Sequence, residues 1–537
     1  MIISSQKEGG RTVRRILILA ALFLALYFAF FGFARPSEFF KTKSSQLVYL
    51  RQENCLTLDP AKAEDQASAG VILNIFEGLV RFAPGSAKIQ PCLAESWEVS
   101  GDGMSWTFKL RPGVSFQDGK PFNAQAVKFS IDRQLKKNAD SSITEASLIY
   151  GMVRSVNVVD NLTVRFDLEF PYAPFLNNLA VPFAAPVVSP AAVEKYGQEF
   201  WLYPSGTGPY ILKRWNRGRE VVLRANQGYW GKKPSINEII FRSEPSSAKR
   251  LKLLSDGKAD VIEGSPDLNL SGLAVKGISI NRVTGMDISY LGFYTNKSPF
   301  NNPKVRRAAC LSIDRQELIK AIFKNSALLA GGPLPPGILA YGEDNEQYTY
   351  DLKQAGELLK EAGYPEGLKI TLLCYSNPRP YNSAGGRELA RYLSGQLNRA
   401  GFQAGIVSYP WDQFKEALSR QEGDAFIYGW TSENCDPDNF LYTLFSSEQI
   451  ANYLNSTRYS NQKVDTLLVT AQRIEDPDLR TRLYHDAQQQ LFMDAPALFL
   501  NHSLNVLLSS QEIHDLAPQP GGLVYLNSVN KTKTTRR

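Results

Sequence analysis

Histidine and cysteine are scarce in this chain: its 537 residues contain three His and five Cys. The histidines (His485, His502, His514) all fall late, and the cysteines (Cys55, Cys92, Cys310, Cys374, Cys435) form no CxxC pair. Zinc and haem sites need such ligands at short, regular spacing, so neither is expected. A His-based triad would depend on one of the three late histidines, and GxSxG and HExxH do not occur. Ser246-x-x-Lys249 matches one short hydrolase motif, but within SSAKRLKLL it reads as a helix start without companion motifs. In an oxidising compartment Cys55 and Cys92 could pair; buried free thiols are the alternative. Low-complexity blocks and internal repeats are also missing. No basic stripe interleaved with aromatics accompanies the net charge of +7, so a nucleic-acid groove is not expected. Part of that charge is terminal, in Lys7, Arg11, Arg14 and Arg15 at one end and Lys531, Lys533, Arg536 and Arg537 at the other.

What is present begins with Ile16–Ala34, ILILAALFLALYFAFFGFA, a run of 19 residues without a charge. A helix needs about 20 apolar residues to cross a bilayer. The run reads either as an uncleaved transmembrane anchor or as a long signal peptide with a small-x-small site at Gly32-Phe33-Ala34. Both readings leave the basic flank in the cytoplasm and export everything after Arg35. Arg14-Arg15 lacks the rest of a twin-arginine signal, and no Cys follows closely enough for a lipoprotein.

The body, 43% apolar and 21% charged overall, has a globular composition and is long enough for two or more cores. Its first half reads as short strands and hairpins: Gln46 to Arg51, a hairpin from Trp97 to Leu110 about Gly101-Asp-Gly103, two strands within Ser155 to Leu168, and Gly206 to Trp215 with Val221 to Ala225. Helices are expected within Ala67–Val80, ending near Gly78, and over Ala124–Lys136. From Asn302 the pattern turns helical, then alternates: strand Lys369–Tyr375, helix Gly386–Arg399, strand Gln403–Ser408, helix Asp412–Ser419, strand Ala425–Thr431. That βαβα order predicts a second α/β lobe with a partly parallel sheet. Two lobes joined at about Ser289–Thr295 and again near Ala497–Leu507 would enclose a cleft.

The ordered segments LNIFEGLV, PCLAESWEVSGDGMSWTFKLRPGVSFQDGKPFNAQAVKFSIDR, GTGPYILKRW, GYWGKKP, NNPKVRRAACLSIDRQELI and GWTSENCDPDNF resemble the family-5 solute-binding proteins of peptide ABC importers, the dipeptide- and oligopeptide-binding type. The resemblance runs from about Leu47 to Tyr525. It implies a two-lobed, type II-like periplasmic binding protein with an extra subdomain in lobe I, behind the N-terminal transmembrane or signal helix. The expected segmentation is 1–36 flank and anchor, 37–288 lobe I, 289–500 lobe II, and 501–537 a return to lobe I with a basic tail. The resemblance further implies a monomeric, extracytoplasmic receptor for short peptides that serves an ABC permease, with no catalysis and no cofactor. Two alternatives stay open: the same fold carrying a metal chelate, haem, sugar or opine, and a membrane-tethered ligand sensor.

Three carboxylates in GWTSENCDPDNF invite different roles. Asp436-Pro437 reads as an N-cap followed by Pro at the first helical position, and Asp438 suits the first turn of a helix. Glu433 lies just past a predicted strand, at the end where open α/β sheets hold ligands. In the resembling peptide binders the acid at this position, usually Asp, holds the ligand's α-ammonium. The Arg of a matching R-P-Y motif, here Arg379, holds its carboxylate. The candidate ligand-binding residues are therefore Arg379, Glu433, Tyr381, Trp430, Thr431, Asp436 and Trp411, with a weaker signal at Glu64-Asp65-Gln66 and Thr207.

Overall fold

The computed structural model describes residues 46–532, except 138–144, 184, 266–267, 269, 271, 275–276, 325, 343–347 and 520. The run Ile16–Ala34, its basic flank and the tail residues Lys533, Arg536 and Arg537 lie outside the described residues. Among the described residues no helix is long and apolar enough to cross a membrane.

Leu47 onward makes one compact unit, within which two sheets are threaded on one long strand, Ala497–Ser510. Its first half pairs with Asp287–Phe293, from Ala497 opposite Gly292 to Asn501 opposite Ser289. Its second half pairs with Ile278–Thr284, from Leu504 opposite Thr284 to Ser510 opposite Ile278. The two crossing points therefore sit at Gly285-Met286 and His502-Ser503. The first lies earlier than the expected Ser289–Thr295. Asp287–Phe293 is buried at every position, Asp287 and Ser289 included, a central strand of lobe II within which no change of burial marks where the lobe begins. Gly285 fits this crossing because a Cβ there would come within 2.1 Å of Ser503 Oγ and 2.3 Å of Asp287 Oδ2.

Lobe I carries Gln46–Arg51, Val261–Glu263, Glu238–Ser243, Glu220–Ala225 and Tyr210–Asn216. The extra subdomain is a four-stranded antiparallel sheet ordered Ala94–Val99, Ser105–Leu110, Thr163–Leu168, Val153–Asp160. Trp106, Phe108, Phe166 and Phe175 meet ring to ring inside it, at centroid distances of 5.3–6.5 Å, and share one core with the rest of lobe I.

Lobe II is built as its sequence alternation requires. Leu368–Tyr375 pairs in parallel with Phe402–Tyr409 on one side and Ala425–Thr431 on the other. Parallel neighbours need a crossover, and helix Gly386–Arg399 supplies it, burying Leu389, Ala390, Leu393 and Leu397 against the sheet. Helix Leu352–Glu361 starts on Asp351, which accepts from Gln354 N. It stops before Gly363, whose φ of +94° is open to glycine. The five cysteines are free. Cys55 faces Ser68 Oγ at 3.8 Å and Cys92 faces Glu77 Oε1 at 3.7 Å, so the Cys55–Cys92 pairing does not form. Burial pushes the Cys55 thiol up to about 12.

Candidate ligand-binding site

The three parallel strands of lobe II end side by side at Tyr375, Tyr409 and Thr431. The loop after the first carries Arg379 and Tyr381; just past the second is Trp411; Trp430 and Thr431 close the third, and Glu433 follows. One end of one sheet thus gathers six of the seven predicted residues, at the carboxyl edge where α/β sheets receive ligands.

Arg379 is held by its own loop. Its N–H donates to Asn382 O and its carbonyl accepts from Asn382 N, at 3.0 and 2.9 Å. Its guanidinium carbon lies 3.7 Å from the centroid of the Trp411 ring, an attractive cation–π geometry. Nε is buried without a hydrogen-bond partner. Trp411 stacks in turn near Tyr428, with centroids 6.0 Å apart and planes at 21°. Tyr381 is 4% exposed, its ring edge-on to Tyr375 and Tyr428. Its hydroxyl lacks a partner, and burial raises its pKa well above the ordinary tyrosine value. Gly429 makes room for that ring, since a Cβ would stand 2.3 Å from Tyr381 Cδ2. Trp430 is oriented by donating from Nε1 to Asn439 Oδ1 at 2.9 Å, and Thr431 pairs with Asp287 at the start of its strand.

The carboxylates divide sharply. Asp436 is buried, and both its oxygens receive Arg480 Nη2, at 2.8 and 3.1 Å. Oδ1 also accepts from Asp438 N at 3.0 Å, in the manner of a cap, with Pro437 already helical at φ −54°. Asp436, a candidate ligand-binding residue, thus has chain partners at both oxygens, as its helix-start position predicts. Asp438 is buried, accepts from the Tyr172 hydroxyl at 3.0 Å, and is pushed up to about 7 by burial and by neighbouring Asp436. Glu433 is half-buried, and Gln66 of lobe I places Nε2 at 3.4 and 3.3 Å from its two oxygens.

Thr207 does not reach the cleft. It is fully buried and donates from Oγ1 to Glu77 at 2.8 Å. Glu77 also accepts from Tyr229 Oη and Trp230 Nε1, at 2.7 and 2.8 Å, and these donors oppose the upward pull of burial on its pKa. Asp65 caps helix Gln66–Ile75 by accepting from Ser68 N.

Sequence reasoning missed the residues that bring the lobes together beside the site. Asn177 Nδ2 donates to Asn434 O at 2.9 Å, and Asn434 Nδ2 to Asn178 Oδ1 at 2.8 Å. Ala173 N donates to Gln472 O at 2.7 Å. No local pattern announces pairs more than 250 positions apart. At the hinge, Asp287 binds Ser503 through its backbone N and its hydroxyl, and is pushed up to about 6 by burial. His502 Nδ1 meets Asp287 O at 2.6 Å, and burial lowers the imidazole to about 4. Among the described residues no group of three or more His, Cys, Asp or Glu is placed to hold a metal.

Comparison with known proteins agrees with this architecture. The family model for the middle region of bacterial extracellular solute-binding proteins, family 5, matches residues 88–452. The dipeptide-binding protein of Escherichia coli (strain K12) is 34% identical over 481 residues, covering 85% of this chain and 89% of that protein. The glutathione-binding protein GsiB of Salmonella typhi is 35% identical over 452 residues, covering 82% and 86%. The structure of HbpA2 from Haemophilus parasuis superposes with a TM-score of 0.84 at 30% identity, covering 91% of this chain and all of that one. With two lobes on a shared strand and these matches over most of its length, the chain belongs to the bacterial extracellular solute-binding proteins of family 5, which are transport binding proteins rather than enzymes.

Proposed function

We propose that the chain captures short peptides between its lobes outside the cytoplasm and delivers them to an ABC permease in the membrane. Glu433 receives the ligand's α-ammonium and Arg379 its α-carboxylate. Tyr381, Trp411, Trp430 and Thr431 line the space between, and Asp436 serves the loop's fold. The observation that carries this reading is Arg379. Its guanidinium carbon lies 3.7 Å from the Trp411 ring centroid with Nε buried and unpartnered, and it forms no ion pair among the described residues. A cation fixed in that way is suited to bidentate capture of a carboxylate. A free peptide is a zwitterion, and burying one of its charges without a partner costs several kcal/mol, so the acid on the neighbouring strand end is the required complement. Relatives whose names specify dipeptides or glutathione support the same ligand class. Both kinds of ligand present an ammonium and a carboxylate.

Calorimetric titration of the chain from Arg35 onward tests this, using free di- and tripeptides, glutathione, and peptides blocked by N-acetylation or C-amidation. Binding of free peptides, strongly weakened but still measurable with either block, is the expected result. Binding confined to blocked peptides or to a metal chelate, haem, sugar or opine would sink the peptide assignment and leave the family intact.

A further inference from the structure

We infer that Gln66 is a specificity-determining residue: its amide donates to Glu433 and turns to accept from the ligand's ammonium when one binds. The inference rests on the peptide reading above and adds to it a lobe I residue that the motif around Glu433 does not contain.

Gln66 is rigidly mounted. It opens helix Gln66–Ile75, whose cap Asp65 accepts from Ser68 N at 2.7 Å. Its carbonyl accepts from Arg51 Nη2 at 2.8 Å, and the Ala67 carbonyl accepts from Arg51 Nη1. Arg51 is itself buried and paired to Glu263 at 3.0 Å. The backbone is thus clamped on lobe I while the side chain is exposed and reaches the half-buried Glu433 on lobe II.

The contact has the geometry of a placeholder. Nε2 stands nearly equidistant from the two carboxylate oxygens, at 3.4 and 3.3 Å, where an ammonium bridging both oxygens would also sit. Those distances exceed the ordinary N–H···O range of about 2.7–3.2 Å, so the amide is weakly held. An ammonium would close to about 2.7–2.9 Å with charge assistance. The displaced amide need not leave. Rotation about its terminal torsion, which is broad and two-fold, exchanges the NH₂ donor for the Oε1 acceptor, and an ammonium has a third hydrogen to give it. A neutral amide can therefore donate to Glu433 and, once turned, accept from the cation.

The test is a free-versus-acetylated ratio, measured with Ala-Leu and N-acetyl-Ala-Leu by calorimetry on the wild type, Gln66→Lys and Gln66→Glu. Lysine supplies a tethered ammonium to Glu433, so Gln66→Lys should weaken Ala-Leu binding by about tenfold or more and leave N-acetyl-Ala-Leu little changed. Gln66→Glu places a second acceptor opposite Glu433 and should widen the preference for the free amine several-fold. The side chain is exposed, so the thermal midpoint of each variant should stay near that of the wild type. Wild-type binding of Ala-Leu with a ratio unmoved by both substitutions overturns the inference and leaves the peptide reading standing. No binding of free peptides by the wild type overturns both.

Discussion

Replacing Arg480 by Met should cost far more stability than any surface ion-pair variant, and leave the ligand contacts in place. Arg480 is 7% exposed and Asp436 2%. Nη2 makes both contacts to the Asp436 carboxylate, and Nε donates to Ala471 O at 3.0 Å. Methionine roughly retains the packing volume but strips the charge, stranding a carboxylate that cannot reach water. Removing one member of a buried pair costs about 3–5 kcal/mol, because the remaining charge stays desolvated. Urea unfolding at neutral pH measures the loss, with free-peptide titration on the folded variant as the control. A loss below about 1 kcal/mol would refute the assignment of Asp436 to the fold and return it to the ligand.

Arg379→Ala should weaken free-peptide binding by more than tenfold in calorimetry and barely affect C-amidated peptides, since the partner of the guanidinium is the ligand's carboxylate. Gly429→Ala should destabilise lobe II by about 1–3 kcal/mol in urea unfolding, because its Cβ meets the buried Tyr381 ring. Asp287 and Asp438 are raised in the fold to about 6 and about 7. The unfolded chain therefore binds fewer protons between about pH 4 and those values, and their contribution to stability should fall as pH rises through that window. Asp287→Asn should remove the lower part of that decline in unfolding midpoints.

Lobe II was the more legible half because its elements are long and locally complete. Helix Gly386–Arg399 and strand Ala425–Thr431 match their sequence-based bounds, each carrying its own periodicity. Helix Gln66–Ile75 ends earlier than the expected stop near Gly78. The apolar spacing continues past it because Phe76, Leu79 and Val80 are buried in the same core from non-helical backbone. The hinge position was read a few residues late for a related reason: uniform burial of Asp287–Phe293 carries no mark of which lobe owns it. Among the carboxylates, the helix-start signal at Asp436-Pro437 was visible, but its partner Arg480 lies 44 positions away. Only the fold decides that such a cap is also half of a buried ion pair.

The same loop fixes the backbone that carries Glu433. Ser432 N donates to Met286 O at 2.7 Å, Asn434 reaches Asn178 of lobe I, and Asp436 is locked to Arg480. Glu433 is thus flanked by anchors on both sides, one at the hinge and one on the opposing lobe. A backbone so fixed leaves only side-chain freedom to lose on binding. Asn434 Oδ1 also accepts from Ser432 Oγ and Asp436 N, at 3.1 and 3.0 Å, so one side chain ties the loop both to itself and to lobe I. Asn434→Ala should then weaken free-peptide binding although its side chain belongs to no ligand contact, and should do so without changing the preference between free and acetylated ends. A variant that shifted that preference would place Asn434 at the ligand itself and dissolve the distinction between holding the loop and holding the cargo.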